Sequence, residues 1–353
     1  MSKRQAARAL STRGIAGFVV ALALISVSAA SAWSEPRDIK WGTGPIGSAG
    51  YKALVVLADV LNKEMPEFRI TVLPTPGAVT TVKGFATGDF NGYYGSDLAL
   101  KELRSDSGRF EGFKANVKIQ PIQSFWCYTL DVGLGIKASD RNVIKKWTDL
   151  SGKPVYTGPL PFDVRRYLEE AMAAVNVHHV YDQVDLETVG SQLDSGAIKA
   201  MIIYAAGGET PPPWLSEASL SVDWAPLNPS PDELAILKAK GFATEEVDPA
   251  PFRLKERYAK TVTLLPFYWG FDLGDVATAD EMYKMLMIID QHADELAKLD
   301  TSFRQIGGGR MAAFEKQALS STWQLAPIHP GLEKYLKAKG MWESKWDANV
   351  AKM

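Results

Sequence analysis

The most distinctive chemical motif is a glycine-rich turn, GTGPIG from Gly42 to Gly47, which precedes a run with helical periodicity. Its spacing matches G-x-G-x-x-G, the pattern that holds a dinucleotide pyrophosphate at a helix N-terminus. A dinucleotide site also needs a carboxylate at the end of the second strand, but the sequence from Leu73 to Pro76 is LPTP. The turn therefore favours backbone amides that receive a small carboxylate over a dinucleotide site.

Residue types that could carry out covalent or metal chemistry are few. The single cysteine, Cys127, lies in an aromatic stretch where burial as a small hydrophobe is the favoured interpretation. The histidines form no H-E-x-x-H motif, and G-x-S-x-G is absent. We predict no catalytic residue, no metal site and no cofactor. An enzyme that uses Asp163 or Cys127 remains the alternative.

A second turn that could contact a ligand spans Thr157 to Arg165 and precedes another amphipathic run. Asp163 has two interpretations, since it either contacts the ligand or caps the helix that follows. Arg165 and Arg166 are either solvated or paired with Glu169 and Glu170, or one of them clamps a carboxylate bidentately. The turn is a candidate second wall of a binding site.

Short apolar strands and amphipathic helices surround both turns. Leu54, Leu57, Ala58 and Leu61 recur at i, i+3, i+4 and i+7 and predict a helix that ends before Pro66. A strand from Arg69 to Pro74 follows. A second unit has a strand from Pro154 to Gly158, a helix with Leu168, Ala171, Met172 and Val175 on one face, and a strand from Ala200 to Ala206. Two such units predict two α/β lobes.

Two further strand-like runs, Tyr128 to Asp140 and Thr263 to Asp275, separate these units from the rest of the chain. We interpret them as paired connections that lead into the second lobe and back. The predicted boundaries are residues 33–128 with about 270–353 for lobe 1, and about 129–269 for lobe 2.

The first 32 residues have the layout of a secretory signal peptide. Four basic residues precede an uncharged run from Gly14 to Ser34, and Ala30 and Ala32 supply small residues for cleavage after Ala32. An uncleaved anchor helix is the alternative. The sequence therefore predicts a periplasmic protein. Its net charge of -2 and pI near 6.2 argue against nucleic-acid binding.

The order of motifs resembles the TAXI family of extracytoplasmic solute receptors, which serve one branch of the tripartite ATP-independent periplasmic (TRAP) transporters. The similarity covers nearly the whole chain after the signal peptide. The matching segments are TGPIGSAGY (Thr43 to Tyr51), the segment from Thr75 to Leu100, TDLSGKPVYTGP (Thr148 to Pro159), the segment from Leu193 to Gly207, and LAPIHPGLEKYLKAKG (Leu325 to Gly340).

The resemblance implies a type II periplasmic-binding-protein fold, in which two α/β lobes joined by two crossover strands close on a solute in the cleft between them. The implied function is capture of a small organic carboxylate and its delivery to TRAP membrane permease subunits by a monomeric receptor. A solute sensor for a membrane kinase is a further alternative. The predicted ligand-binding residues are Gly44, Gly47, Ser48, Tyr51, Thr75, Gly77, Ser96, Trp126, Thr157, Phe162, Asp163, Arg165 and Tyr204.

The sequence departs from the family in the second turn, where a Gly-Ser-Gly-Thr-type segment is replaced by one that contains Phe162 and Asp163. An aromatic ring and a carboxylate thus stand where the family has small hydroxyl donors. We expect a monocarboxylate with an apolar body in preference to a dicarboxylate.

Overall fold

The computed structural model describes residues 35–46, 48–160 and 162–353. The predicted signal peptide with its cleavage site, and Gly47, lie outside the described residues. The described part of the chain forms ten strands, ten α-helices and eight short 3-10 segments.

The first α/β unit alternates strands and helices and includes the predicted helix and the strand that follows it. Its elements are β1 (Arg37–Thr43), α1 (Ala49–Glu64), β2 (Phe68–Pro74), α2 (Ala78–Thr87), β3 (Gly92–Ser96) and α3 (Asp97–Ser105). Ser48 caps α1, and the helix ends two residues before Pro66, which cannot continue it. The predicted stripe of Leu54, Leu57, Ala58 and Leu61 is buried, so the predicted helix is confirmed.

The chain then crosses through β4 (Trp126–Lys137) into the second unit. Its elements are β5 (Pro154–Tyr156), α4 (Asp163–Ala174), β6 (Val180–Tyr181), α5 (Val189–Ser195), β7 (Ala200–Ala206), α6 (Pro213–Ser221), β8 (Trp224–Pro226), α7 (Pro231–Ala239) and β9 (Glu245–Val247). The chain returns through β10 (Val262–Leu273), and α8 (Ala279–Leu299), α9 (Met311–Thr322) and α10 (Pro330–Ala338) complete the structure.

The two predicted crossover segments are present as β4 and β10, and the structure pairs them as antiparallel neighbours from Leu265↔Val132 to Trp269↔Tyr128. β10 also pairs with β3, and β4 also pairs with β7. The strands of both lobes therefore join one mixed sheet, in the order β2-β1-β3-β10-β4-β7-β5-β6. The two-lobed α/β architecture with two crossover strands is thus present, whereas the exact lobe boundaries stay a prediction.

The helices of lobe 1 that follow β10 pack through apolar faces. Met282, Met285, Leu286 and Ile289 of α8 are buried, so this methionine-containing stripe is packing surface. No helix within the described ranges is long and apolar enough to cross a membrane.

Candidate functional site

The two lobes face each other across the carboxyl ends of their strands. β1 runs parallel to β2 and β3, and β5 runs parallel to β7, so each lobe collects these ends at one edge. A hydrogen bond from Ser96 Oγ, at the end of β3, to Asp163 Oδ2, at the start of α4, joins the two edges. Open α/β sheets bind ligands at such edges. The cleft between these edges is therefore the candidate site.

Three helices, α1, α2 and α3, begin just after the carboxyl ends of β1, β2 and β3. Ser48 caps α1 and Ser96 caps α3, and each hydroxyl accepts a bond from the backbone N–H three residues later, at 3.2 and 3.0 Å. α2 begins after Gly77 with no side-chain cap. Its first amides and the positive end of its dipole therefore suit an anion.

Thr43 and Thr75 connect the end of β1 to the uncapped start of α2. The Thr75 backbone N–H and hydroxyl both donate to the Thr43 carbonyl, at 2.9 and 2.8 Å. The Thr43 side chain is buried, and its own hydroxyl has no hydrogen-bond partner among the described residues. Because an unpaired buried hydroxyl is costly, Thr43 is a candidate donor to a bound oxyanion.

Charged side chains connect α3 with α4 across the cleft. Arg109 Nη1 contacts Asp163 Oδ1, and Arg109 Nε donates to Glu102 Oε2 at 2.7 Å. The carboxylates of Asp163 and Glu102 are only 1% and 4% exposed. Arg166 Nε adds a contact of 3.3 Å with Glu102 Oε1. We call Glu102, Arg109, Asp163 and Arg166 the interlobe cluster.

Asp97 follows Ser96 and extends this polar region. Burial raises the pKa of Asp97 to about 7, although the backbone N–H groups of Tyr268 and Leu98 act in the opposite direction. The charge of Asp163 adds to the increase. Near neutral pH, Asp97 is therefore partly protonated, which limits the negative charge beside the interlobe cluster.

Strands β3, β4 and β10 supply an aromatic layer beneath the cleft. The ring of Tyr94 stacks on Trp269 and Phe271 with centroid distances of 4.6 and 5.1 Å, and its hydroxyl bonds to that of Tyr128. The Trp269 Nε1 proton has no partner in the described part of the chain. These rings are almost fully buried, and Trp269 stands opposite Ser96 in the register of β3 and β10.

Of the two interpretations of Arg165, the structure shows the pairing with Glu169. Arg165 Nε lies 2.9 Å from Glu169 Oε1, and its guanidinium lies 3.7 Å from the ring centroid of Tyr181. The Thr157 hydroxyl donates to the same Glu169 oxygen at 2.7 Å. Both predicted donors of the second turn thus already have a partner within lobe 2.

The helix-cap interpretation of Asp163 is wrong, because Phe162 occupies the N-cap position and Asp163 is the first helical residue. Its carboxylate contacts lobe 1 instead of its own helix. Phe162 is partly buried and packs against the hydrophobic core.

Trp126 is not brought to the Ser96–Asp163 contact. It is fully buried, and its Nε1 donates to Gln123 Oε1 at 3.2 Å within lobe 1.

Tyr204 lies near the carboxyl end of β7, partly exposed, and its hydroxyl accepts a bond from Trp214 Nε1 at 3.2 Å. Gly44 is buried at the end of β1, and Tyr51 is partly exposed in the first turn of α1.

Cys127 and Asp163, the two residues of the alternative enzyme interpretation, are both buried and bonded to other groups of the protein. Cys127 is fully buried, its Sγ lies 3.7 Å from the Trp269 carbonyl oxygen, and burial raises the pKa of its thiol. A reactive cysteine needs the opposite shift and some exposure. Both oxygens of Asp163 are bound by Ser96 and Arg109.

A separate cavity of about 300 Å³ lies where the end of β7 meets the segment before α9. It contains none of the predicted site residues, and its arginines already have partners. Arg310 Nη2 donates to the Arg304 carbonyl oxygen at 2.5 Å, and Arg304 Nη1 lies 3.7 Å from Glu209 Oε2. The cleft remains the better candidate for a charged solute.

Neither a protein-family model nor a curated protein matches this chain. Solved structures that are similar include the periplasmic aliphatic sulphonate binding protein SsuA of Escherichia coli. It has 12% identity and a TM-score of 0.39, and the match covers 86% of this chain and 83% of that chain. A probable amino-acid ABC transporter extracellular-binding protein of Bacillus subtilis has 12% identity and a TM-score of 0.42, over 76% and 97% of the two chains.

A TRAP periplasmic solute binding protein from Sulfitobacter sp. NAS-14.1, solved with bound β-D-galacturonate, has 11% identity and a TM-score of 0.38. That match covers 86% of this chain and 96% of the other. All three TM-scores lie below 0.5, so these matches do not assign a function to this chain.

Proposed function

We propose that this chain is a periplasmic solute-binding receptor of a TAXI-type TRAP transporter. It captures a small organic carboxylate between its lobes by hinge closure and delivers it to a membrane permease. No covalent bond is made or broken in this process, and the chain acts as a monomer.

The observation that carries the proposal is the Thr43 hydroxyl, which has no partner among the described residues, on a residue bonded to Thr75 just before the uncapped N-terminus of α2. Helix N-termini bind carboxylates through free amides and the helix dipole. A hydroxyl of the residue whose carbonyl binds Thr75 could add a hydrogen bond to a charged acceptor. This combination supports a carboxylate-bearing solute.

The crossover strands support the hinge part of the proposal. β10 pairs with β3 of the first unit and with β4, and β4 pairs in turn with β7 of the second unit, so these two strands link the two sets of strands in the described sheet. Hinges are a few residues that absorb backbone rotation between rigid bodies. A ligand that contacts both edges favours closure by the contacts that the open form cannot make.

The test is a thermal-shift panel of small organic acids, followed by the comparison of wild type with Thr43→Val. A true ligand at about 100 times its dissociation constant adds about 2.7 kcal/mol to the free energy of unfolding. Thr43→Val keeps the shape but removes the hydroxyl, so it should weaken binding about tenfold. If NMR shows that the acid is consumed, the enzyme alternative is favoured. If Thr43→Val binds the acid with the affinity of wild type, Thr43 does not contact a ligand carboxylate.

A further inference from the structure

The carboxylate of Asp163 is bound as an external ligand would be bound. Asp163 is the first residue of α4 in lobe 2, but both of its oxygens are held by lobe-1 groups, Ser96 Oγ and Arg109 Nη1. An acidic residue at this helix position ordinarily remains near its own free amides and in solvent. Asp163 is instead 2% exposed.

The groups that hold Asp163 are those of a carboxylate site. Ser96 caps α3, a helix of nine residues, and Arg109 comes from the 3-10 segment Gly108–Phe110 that follows it. A helix N-terminus together with a guanidinium is a common solution for binding oxyanions. Arg109 is held in place by its 2.7 Å bond to the buried Glu102.

We propose that Ser96, Arg109 and the first turn of α3 form a second carboxylate subsite, which Asp163 fills as an internal ligand. Asp163 thereby excludes the second carboxylate of a dicarboxylic acid and restricts the receptor to monocarboxylates. The selectivity part of this inference rests on the proposed function. The subsite itself does not.

The charge balance explains why a second carboxylate is excluded while Asp163 is present. The interlobe cluster has two carboxylates, Glu102 and Asp163, and two guanidiniums, Arg109 and the 44% exposed Arg166. Arg166 Nε also lies 3.2 Å from Glu170 Oε1, and Asp97 adds negative charge beside the cluster where it is ionised. Another anion would leave a negative excess in a buried region, which is costly. Removing Asp163 frees Ser96 and one face of Arg109 for an incoming carboxylate.

Acetate is the probe for the subsite, used against chloride at constant ionic strength. We expect the acetate-dependent rise in melting temperature to be larger in Asp163→Ala than in wild type and to saturate. In the double variant Asp163→Ala/Arg109→Gln, the rise in melting temperature should fall back to that of wild type. The acetate concentration that gives half of the effect should be at least tenfold higher than in Asp163→Ala. Asp194→Ala is the matched control, because it removes an exposed carboxylate that pairs with Lys137 at 3.0 Å within lobe 2.

An equal acetate response of wild type and Asp163→Ala would overturn the inference, as would a gain that persists without Arg109. If Asp163→Ala does not fold, Asp163→Asn keeps the size and the Ser96 contact and should show a smaller gain in the same direction. Butyrate and succinate, which share a four-carbon body, test selectivity: Asp163→Ala should shift the preference towards succinate.

The two proposals can fail separately. Stabilisation of wild type by an organic acid, without any acetate gain in Asp163→Ala, would preserve the receptor and remove the internal ligand. An Arg109-dependent acetate gain in a protein that no organic acid stabilises would preserve the subsite and remove the proposed function.

Discussion

His329 is a buried histidine whose two ring nitrogens have different partners. Nδ1 accepts a bond from the Gly331 backbone N–H at 3.0 Å, and Nε2 donates to the Ala277 carbonyl at 3.1 Å. This arrangement requires the neutral ring with its proton on Nε2. Burial lowers the pKa of His329 to about 4, although the carbonyls of Ala277 and Gly274 act in the opposite direction.

The shifted pKa of His329 predicts acid sensitivity. Because the unfolded chain binds a proton below pH 6.5 while folded His329 stays neutral down to about pH 4, the free energy of unfolding should fall as the pH decreases through this window. The full loss is about 3 kcal/mol. Urea unfolding at several pH values measures it.

The matched variant is His329→Asn, whose side chain can still cap α10 but does not titrate. Between pH 6.5 and 4, the free energy of unfolding of this variant should fall less steeply than that of wild type. The difference in slope should correspond to at most one bound proton. The comparison with wild type is needed because burial raises the pKa of Asp97 and of Asp272 to about 7, which acts in the opposite direction. Identical slopes in the two proteins would contradict the assignment.

The sequence predicts some site residues better than others because side chains differ in how local their partners are. Arg165 and Glu169 lie four residues apart on one helix, and this spacing predicts an ion pair between them. The contact between Arg109 and Asp163 spans 54 positions and two lobes. No periodicity or motif marks Arg109, so only the fold reveals it.

At the scale of the elements, α8 and α10 approach each other at Gly331. A Cβ at this position would lie 2.5 Å from Met282 Cβ, 2.8 Å from the Ala279 carbonyl oxygen and 2.9 Å from the Tyr283 backbone nitrogen. Two of these atoms belong to the backbone of α8 and cannot move aside independently. Glycine is therefore required for this helix contact.

Gly331→Ala should destabilise the fold by about 1–3 kcal/mol through overpacking. Chemical denaturation measures the change. Lys334→Ala on the exposed side of α10 is the control, and we expect an effect within about 0.5 kcal/mol because its ion pair with Asp280 is exposed. A Gly331→Ala variant that unfolds at the wild-type urea concentration would contradict this account of the helix contact.

Elements with strong local patterns are the ones that the sequence predicts. The strand from Ala200 to Ala206 is confirmed at both ends, since a continuous apolar run indicates a buried strand. The sequence LKAKG, at Leu237 to Gly241 and at Leu336 to Gly340, is typical of a helix end, and a helix ends at each, where Gly241 and Gly340 adopt left-handed conformations with φ of 89° and 67°. The joining of both lobes in one sheet depends on the long-range pairing of β4 and β10, which has no local signal.

At the scale of the whole molecule, export is predicted from the first 32 residues alone. The mature protein should begin at or near Trp33, because the basic, apolar and small-residue regions precede it in order. Intact-mass analysis of the periplasmic fraction measures this. A membrane-bound protein that retains residues 1–32 would instead support the anchor-helix alternative.

Native mass spectrometry of the mature protein, purified from its own host, tests the central claim most directly. The account predicts one small organic acid per chain, released chemically unchanged on denaturation, and a matching rise in melting temperature when the same acid is added back. A covalent adduct, conversion of the acid during incubation with the protein, or a released acid that fails to stabilise the emptied protein would contradict it.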